Sequence, residues 1–279
     1  MATTATLASA TEAYSVQAEI AAAAVLAAQR LRSPSAERLA ALVVAYQLLA
    51  AQQATLAVPT MLAEQGISSA TAATVALEAL LGLTSAGYPL STMFDTITSA
   101  AQLSMLVATA VQDAGRNGAS LQIAVTPTVT GYVRMLNPPS CSRCTILAGK
   151  FYRWNEGFER HPNCDCRHIP STEALAGDLT TDPQAYFDSL TREEQDRIFT
   201  VAGAQAIRDG ADMSQVVNAR RGMRTAQVFG RDVLTTTAGT SRRGRAAGRI
   251  RLMPESIYAI ADGDRDEALR LLRLNGFIF

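Results

Sequence analysis

Outside residues 141–168 this chain has no histidine and no cysteine. Its 2 histidines and 4 cysteines all fall in that one stretch, CSRCTILAGKFYRWNEGFERHPNCDCRH. A histidine-dependent nucleophile or an HExxH zinc helix therefore has nowhere else to sit. GxSxG and GxxxxGK[ST] signatures are missing as well. Lysine is almost absent: of 25 basic residues only Lys150 is lysine, an arginine and alanine bias that reflects GC-rich coding before function. The formal net charge is zero, so no global field steers a partner. Aromatics at 6% argue against a large β-sandwich. With 279 residues, 48% of them hydrophobic, the chain can bury a core without disulfide staples. That length suits one large domain or two to three small ones. The uncharged run 39–63 is long enough to span a membrane. However, Gln47, Gln52, Gln53 and Pro59 interrupt it, which predicts an amphipathic helix followed by a bend. No signal peptide, membrane span or lipidation motif is expected.

The Cys/His stretch carries the chemistry. Cys141-x2-Cys144 can set two thiolates on one turn. After sixteen residues, His161-x2-Cys164-x-Cys166 offers a second pair, on the pattern of a treble-like or ribbon-like structural zinc site. The bulky residues 150–154 between the halves read as a short strand. Cys141, Cys144, His161 and Cys166 are the preferred ligands. Cys164 is a rival, because it and Cys166 flank only Asp165. His168 is the outlying member. Two disulfides or redox-sensitive pairs are the first alternative; buried, inert cysteines are the second. A catalytic zinc would keep one position open and use a nearby acid such as Glu156 or Glu159, but a cysteine-rich set suits a closed site better.

At these residues the chain resembles the Mu F-like head-morphogenesis family of tailed bacteriophages. The resemblance rests on Cys141, Cys144, Gly149, Lys150, His161, Pro162, Cys164 and Cys166, and spans roughly residues 130–170. The flanking YVRMLNPPS, AIRDGADMSQVVNARRGM and RDEALRLLRLNGFIF are similar to the version found in phages of actinobacteria. The resemblance implies a minor capsid protein of the virion, encoded beside the portal protein and acting by binding during head assembly. Its expected partners are the portal protein and the major capsid or scaffold protein. Relatives are often labelled capsid maturation proteases, so an enzyme that trims scaffold or capsid protein is the alternative. A serine protease needs a histidine base, and both histidines lie in the metal-type stretch.

Around this module the expected fold is mainly α, with a small α+β cysteine/histidine zinc-type module in the middle. Residues 1–118 read as an alanine-rich helical domain, 119–170 as the module, and 171–279 as a C-terminal helical region. In the first, helices are expected over 11–32, from a Ser33-Pro34 start, over 69–83 and over 91–113, with Gly82, Gly87 and 115–118 as breaks. Residues 121–125 and 130–136 look β-branched enough for strands. In the last region Asp182-Pro183, Thr191-x-x-Glu194, Asp212-x-x-Gln215, Pro254 and Asp264-x-x-Glu267 open helices. Gly210, Gly222, Gly263 and Gly276 close them. The apolar tail 277–279 is expected to dock on a helix.

One segment stands apart in charge. Residues 219–251 hold nine arginines against a single acid, Asp232. Glycines at 239, 244 and 248 suggest a flexible loop over 235–248. Arg242, Arg243, Arg245, Arg249 and Arg251 are the candidate contacts to double-stranded DNA, through phosphates and without sequence preference. A solvated loop, or arginines engaged by acidic protein surface, is the competing reading.

Overall fold

The computed structural model describes residues 7–32, 34–136, 140–156, 167–175, 182–228, 230–238 and 250–279. Among the described residues the protein is mainly helical with two small sheets. It divides into two compact units, one of residues 1–137 and 148–181, the other of 138–147 and 182–279. The stretch 119–170 is thus shared out between the two.

The first unit is built on three long helices: α1 (Ala8–Arg30), α2 (Ala36–Glu64) and α4 (Ala100–Ala124), with a short α3 (Leu90–Phe94) beside them. Small residues face each other across the bundle. Ala10, Ala24, Ala50 and Ala51 are fully buried, and Val43, Val107 and Val111 pack among them. Alanine offers little area per residue but lets helix axes approach closely. Ser35 and Ser99 cap α2 and α4 by accepting from the backbone N–H groups of Arg38 and Gln102. The start of α2 therefore falls two residues beyond the expected Ser33-Pro34 signal. Pro59 lies inside α2, so the helix does not end before it. The helix runs on to Gln65 and closes on Gly66, whose φ is +71°. It is long and apolar enough to cross a membrane by length and composition, with 33% of its most apolar window buried inside the protein.

The glycines expected to break the third helix sit inside α4 instead. A Cβ on Gly115 would run into the Gln17 side chain, and one on Gly118 would stand 2.7 Å from the Ala51 carbonyl oxygen. At Gly118 the backbone of α2 leaves no room for a side chain, and at Gly115 the space is taken by the Gln17 side chain of α1. The helix α4 also runs through 121–124, where a strand was expected. The helix expected over 69–83 is reduced to one 3-10 turn, Leu77–Leu80. Gln47, buried within α2, organises that region: it donates to the Leu83 and Ala110 carbonyls and accepts from the Gly82 N–H.

A three-stranded antiparallel sheet completes this unit, in the order β2 (Phe151–Arg153), β1 (Gly131–Met135), β3 (Arg167–Ser171). In register, Val133 stands opposite Phe151 on one side and Ile169 on the other. Val133, Met135 and Ile169 pack with Ala10, Ala13 and Met61, seating the sheet on the bundle. β1 and β2 match the expected strands; β3 lies in the tail of the Cys/His stretch and was not expected.

The second unit is made of short, well-punctuated helices. They are α5 (Ser142–Thr145), α6 (Pro183–Ser189), α7 (Arg192–Phe199), α8 (Val201–Arg208), α9 (Met213–Ala219), α10 (Pro254–Ala261) and α11 (Arg265–Leu274). Asp182, Thr191, Asp212 and Asp264 each cap a helix at the expected place, and Thr191 with Glu194 forms a complete capping box. The helix expected to run from Thr191 to Gly210 is split at Thr200, which takes a φ of +69°. Its hydroxyl accepts from the Gly203 N–H, starting α8. Phe187, Phe199, Met253, Ile257, Leu272 and Phe277 form the core. Phe277 is fully buried, so part of the apolar tail docks inward as expected, while Phe279 is exposed. A second antiparallel sheet, β4 (Met223–Val228), β5 (Arg231–Thr236) and β6 (Arg251–Leu252), occupies much of the arginine-rich segment.

Candidate functional site

The first half of the expected metal site is a closed turn in the second unit. Cys141 precedes α5 in an extended conformation, and its Sγ accepts from the Cys144 N–H at 3.4 Å. The Thr145 N–H and hydroxyl both donate to the Cys141 carbonyl, each at 3.0 Å. Cys144 is buried and Cys141 exposed. Just upstream, the Ser140 N–H donates to the Tyr186 hydroxyl at 2.9 Å. Just downstream, Ile146 enters the core with Val216 and Val217. The turn is therefore pinned on both sides. A Cys-x2-Cys turn so closed suits two sulfur ligands of a zinc ion.

His161, Cys164 and Cys166, the expected second half, lie outside the described residues, as does Glu159. Among the described residues no group of three or more His, Cys, Asp or Glu side chains is arranged to hold a metal. Glu156 has a turn role, its carboxylate accepting from the Arg153 N–H at 3.3 Å.

His168 has a different setting. It sits on β3 opposite Arg134, buried, with its ring stacked on Tyr132 at 4.4 Å between centroids. Its backbone N–H donates to the Tyr14 hydroxyl at 3.0 Å. With Tyr14, Gln17, Gln53, Gln112 and Arg116 it lines a cavity of about 80 Å³ inside the first unit. A space of that size holds a few water molecules. Gln17 bridges it, donating to the Ala50 carbonyl and to Gln53 Oε1, and Arg116 forms a buried ion pair with Asp113 at 2.9 Å. This polar seam had no signal in hydrophobic periodicity. Its trace in the sequence was the run of glutamines at helix positions that otherwise face inward.

The arginine segment is less uniform than its composition. Arg251 is withdrawn from the DNA-contacting set: it is 1% exposed. Its guanidinium donates to the carbonyls of Asn275, Ala238 and Gly276 and to Gln215 Oε1, and lies 4.2 Å over the Phe277 ring. A guanidinium held this way cannot reach a phosphate. Arg220 likewise faces protein, paired with Glu255 and donating to the Thr200 hydroxyl at 2.7 Å. Arg221 and Arg224 are exposed. Arg242, Arg243, Arg245 and Arg249 lie outside the described residues. The expected loop over 235–248 begins later than Thr236, which is still within β5.

No family model, no curated protein and no solved structure matches this chain.

Proposed function

We propose that this chain is a minor capsid protein of a tailed bacteriophage that acts by binding during head assembly, beside the portal protein and in contact with major capsid or scaffold protein. The observation that carries the reading is the Cys141–Cys144 turn. It belongs to the family-type pattern CSRC…LAGKFY…HPNCDC, and it is pinned as a structural anchor, with Cys144 buried and Ile146 in the core. A closed structural zinc site follows, with Cys141 and Cys144 as one ligand pair and two of His161, Cys164 and Cys166 as the other. The ion's contribution is to lock the chain between the two pairs; it adds no reactive group. The setting of His168, stacked and enclosed, is that of a packing residue and weighs against its serving as a protease base. The protein is placed in the virion, and Arg242, Arg243, Arg245 and Arg249 are its contacts to packaged double-stranded DNA.

Two measurements test this. Protein purified in reducing buffer should carry about one zinc per chain, and Cys144→Ser should lose it; metal-free protein whose thiols ignore a chelator sinks the zinc site. Co-expression with the phage's portal, scaffold and major capsid proteins should give co-purification without cleavage. Specific cleavage abolished by His168→Ala or by a single serine substitution overturns the binding role in favour of the maturation protease.

A further inference from the structure

In the second unit β4 is an edge strand, in the order β4-β5-β6. The Thr237 N–H donates to the Gly222 carbonyl at 3.1 Å, which makes residues 222 and 237 a hydrogen-bonded pair. Such pairs alternate with non-bonded ones along an antiparallel ladder, so the register fixes every backbone direction. Arg224, Ala226 and Val228 turn their N–H and C=O groups toward β5. Met223, Thr225 and Gln227 turn theirs to the opposite side, and all three residues are exposed. Among the described residues no strand lies beyond them. Three outward donor–acceptor sets, every second residue, are the template for one more strand.

The side chains say what that strand carries. Thr225 stands level with Leu234, which packs on the core. Met223 is on the same side two residues away, yet it is 43% exposed. The sheet therefore projects past the core it covers. On the other face stands the exposed Arg224, with the exposed Arg221 just ahead of the strand. The one acid in residues 221–237 is Asp232, beside the turn at the far end, where it accepts from the Gln227 side chain.

We propose that β4 takes an extended acidic segment of a partner protein as an added strand. Its main chain pairs with residues 223, 225 and 227, a carboxylate lies level with Arg224, and an apolar side chain covers Met223. Charge decides the occupant. A second copy paired antiparallel about Thr225 would set Arg224 diagonally across from its own counterpart on one face, where like charges repel. A carboxylate in that place is attracted. The arginine thus works against self-pairing of the edge and admits an acid.

The test uses the full chain and a short capped peptide alternating valine and glutamate, with its lysine counterpart as control. Hydrogen exchange read by NMR should slow at the Thr225 and Gln227 amides on adding the glutamate peptide. Arg224 and Ala226, whose N–H groups already face β5, should not change. Thr225→Pro removes an outward N–H that the hairpin does not use, so melting should hold while peptide binding is lost. Arg224→Glu should weaken the glutamate peptide about tenfold and make the lysine peptide the better ligand. If Thr225→Pro unsettles the hairpin, the reversal at Arg224 decides alone. No slowing at millimolar peptide, equal binding of both peptides, or binding unmoved by Arg224→Glu each overturns the proposal. So does slowing that grows with protein concentration in the chain alone, which assigns the edge to a second copy. Slowing produced by duplex DNA and not by the peptide overturns it too, and assigns Arg221 and Arg224 to phosphates. None of these readouts depends on the capsid or zinc reading.

Discussion

The two units of this protein reach stability by different means. The first relies on proximity: three long helices rich in alanine and valine pack closely, with Gly118 against the Ala51 backbone and Gly115 beneath the Gln17 side chain. The second relies on termini and anchors: among the described residues, seven short helices, most opened by a dedicated cap, surround a core that includes a buried arginine. Proximity tolerates few added atoms; anchoring tolerates few lost hydrogen bonds. The same substitution type should therefore fail in opposite ways in the two units.

The sharpest break is expected at Arg251. Arg251→Ala removes four hydrogen bonds and the stacking over Phe277, and leaves the Asn275 and Gly276 carbonyls buried without this donor. A loss of about 3–5 kcal/mol is expected by urea unfolding of the second unit. Arg251→Lys should recover only a minor part, since an ammonium cannot match the planar fork. In the first unit the corresponding break is an addition. Gly118→Ala gains about 1 kcal/mol of helix propensity, yet places a methyl 2.7 Å from the Ala51 carbonyl oxygen. Overpacking against backbone typically costs about 1–3 kcal/mol, so a net loss of up to about 2 kcal/mol is expected. A gain in melting temperature for Gly118→Ala would show that α2 can yield, and would end the proximity account.

These contrasts also explain which features the sequence made legible. In the second unit a cap must be a particular residue at a particular offset, so Asp182, Thr191, Asp212 and Asp264 announced their helices correctly. In the first unit Gly115 and Gly118 announced a break that does not exist, because a glycine chosen for contact looks like one chosen for a turn. The split at Thr200 was hidden because a non-glycine residue holds a positive φ there, supported by Arg220 and Glu255. The hairpin β4–β5 was masked by its arginines, whose charge outweighs the short β-branched run Val233, Thr235 and Thr236. At the candidate site, Cys141-x2-Cys144 was legible as a turn from spacing alone. The burial of His168 and Arg251 was not, because each depends on partners distant in sequence, Tyr14 and Tyr132 for one and Asn275 and Phe277 for the other.

A smaller effect sharpens the anchoring side. Thr191→Ala removes the hydroxyl that accepts from the Glu194 N–H and dismantles the capping box of α7. About 1 kcal/mol is expected. The loss should fall on the second unit alone, read by hydrogen exchange at 192–195 with exchange across α4 unchanged.

The smallest effect is electrostatic and belongs to the start of α1 in the first unit. The Ser9 hydroxyl, with the Ser9 and Ala8 N–H groups, holds the Glu64 carboxyl below its ordinary value, offsetting the modest opposing effect of burial. The sign follows from linkage. A carboxyl more acidic in the folded state contributes stability that is complete above its unfolded pKa, near 4.3. That contribution fades as pH falls through the lower folded value. Glu64 is largely exposed, so solvent screening keeps the effect small. Unfolding of wild type and Glu64→Gln should therefore diverge at neutral pH and converge in acid, with the variant's pH profile the flatter. The start of α1 should show the difference most clearly, because Glu64 ties the N–H groups of Ala8 and Ser9 to the end of α2. If the two proteins instead differ by a constant amount from neutral pH down to pH 3, the carboxylate's charge is not what fastens that terminus. The shape of the glutamate is then sufficient, and the first unit is held by proximity throughout.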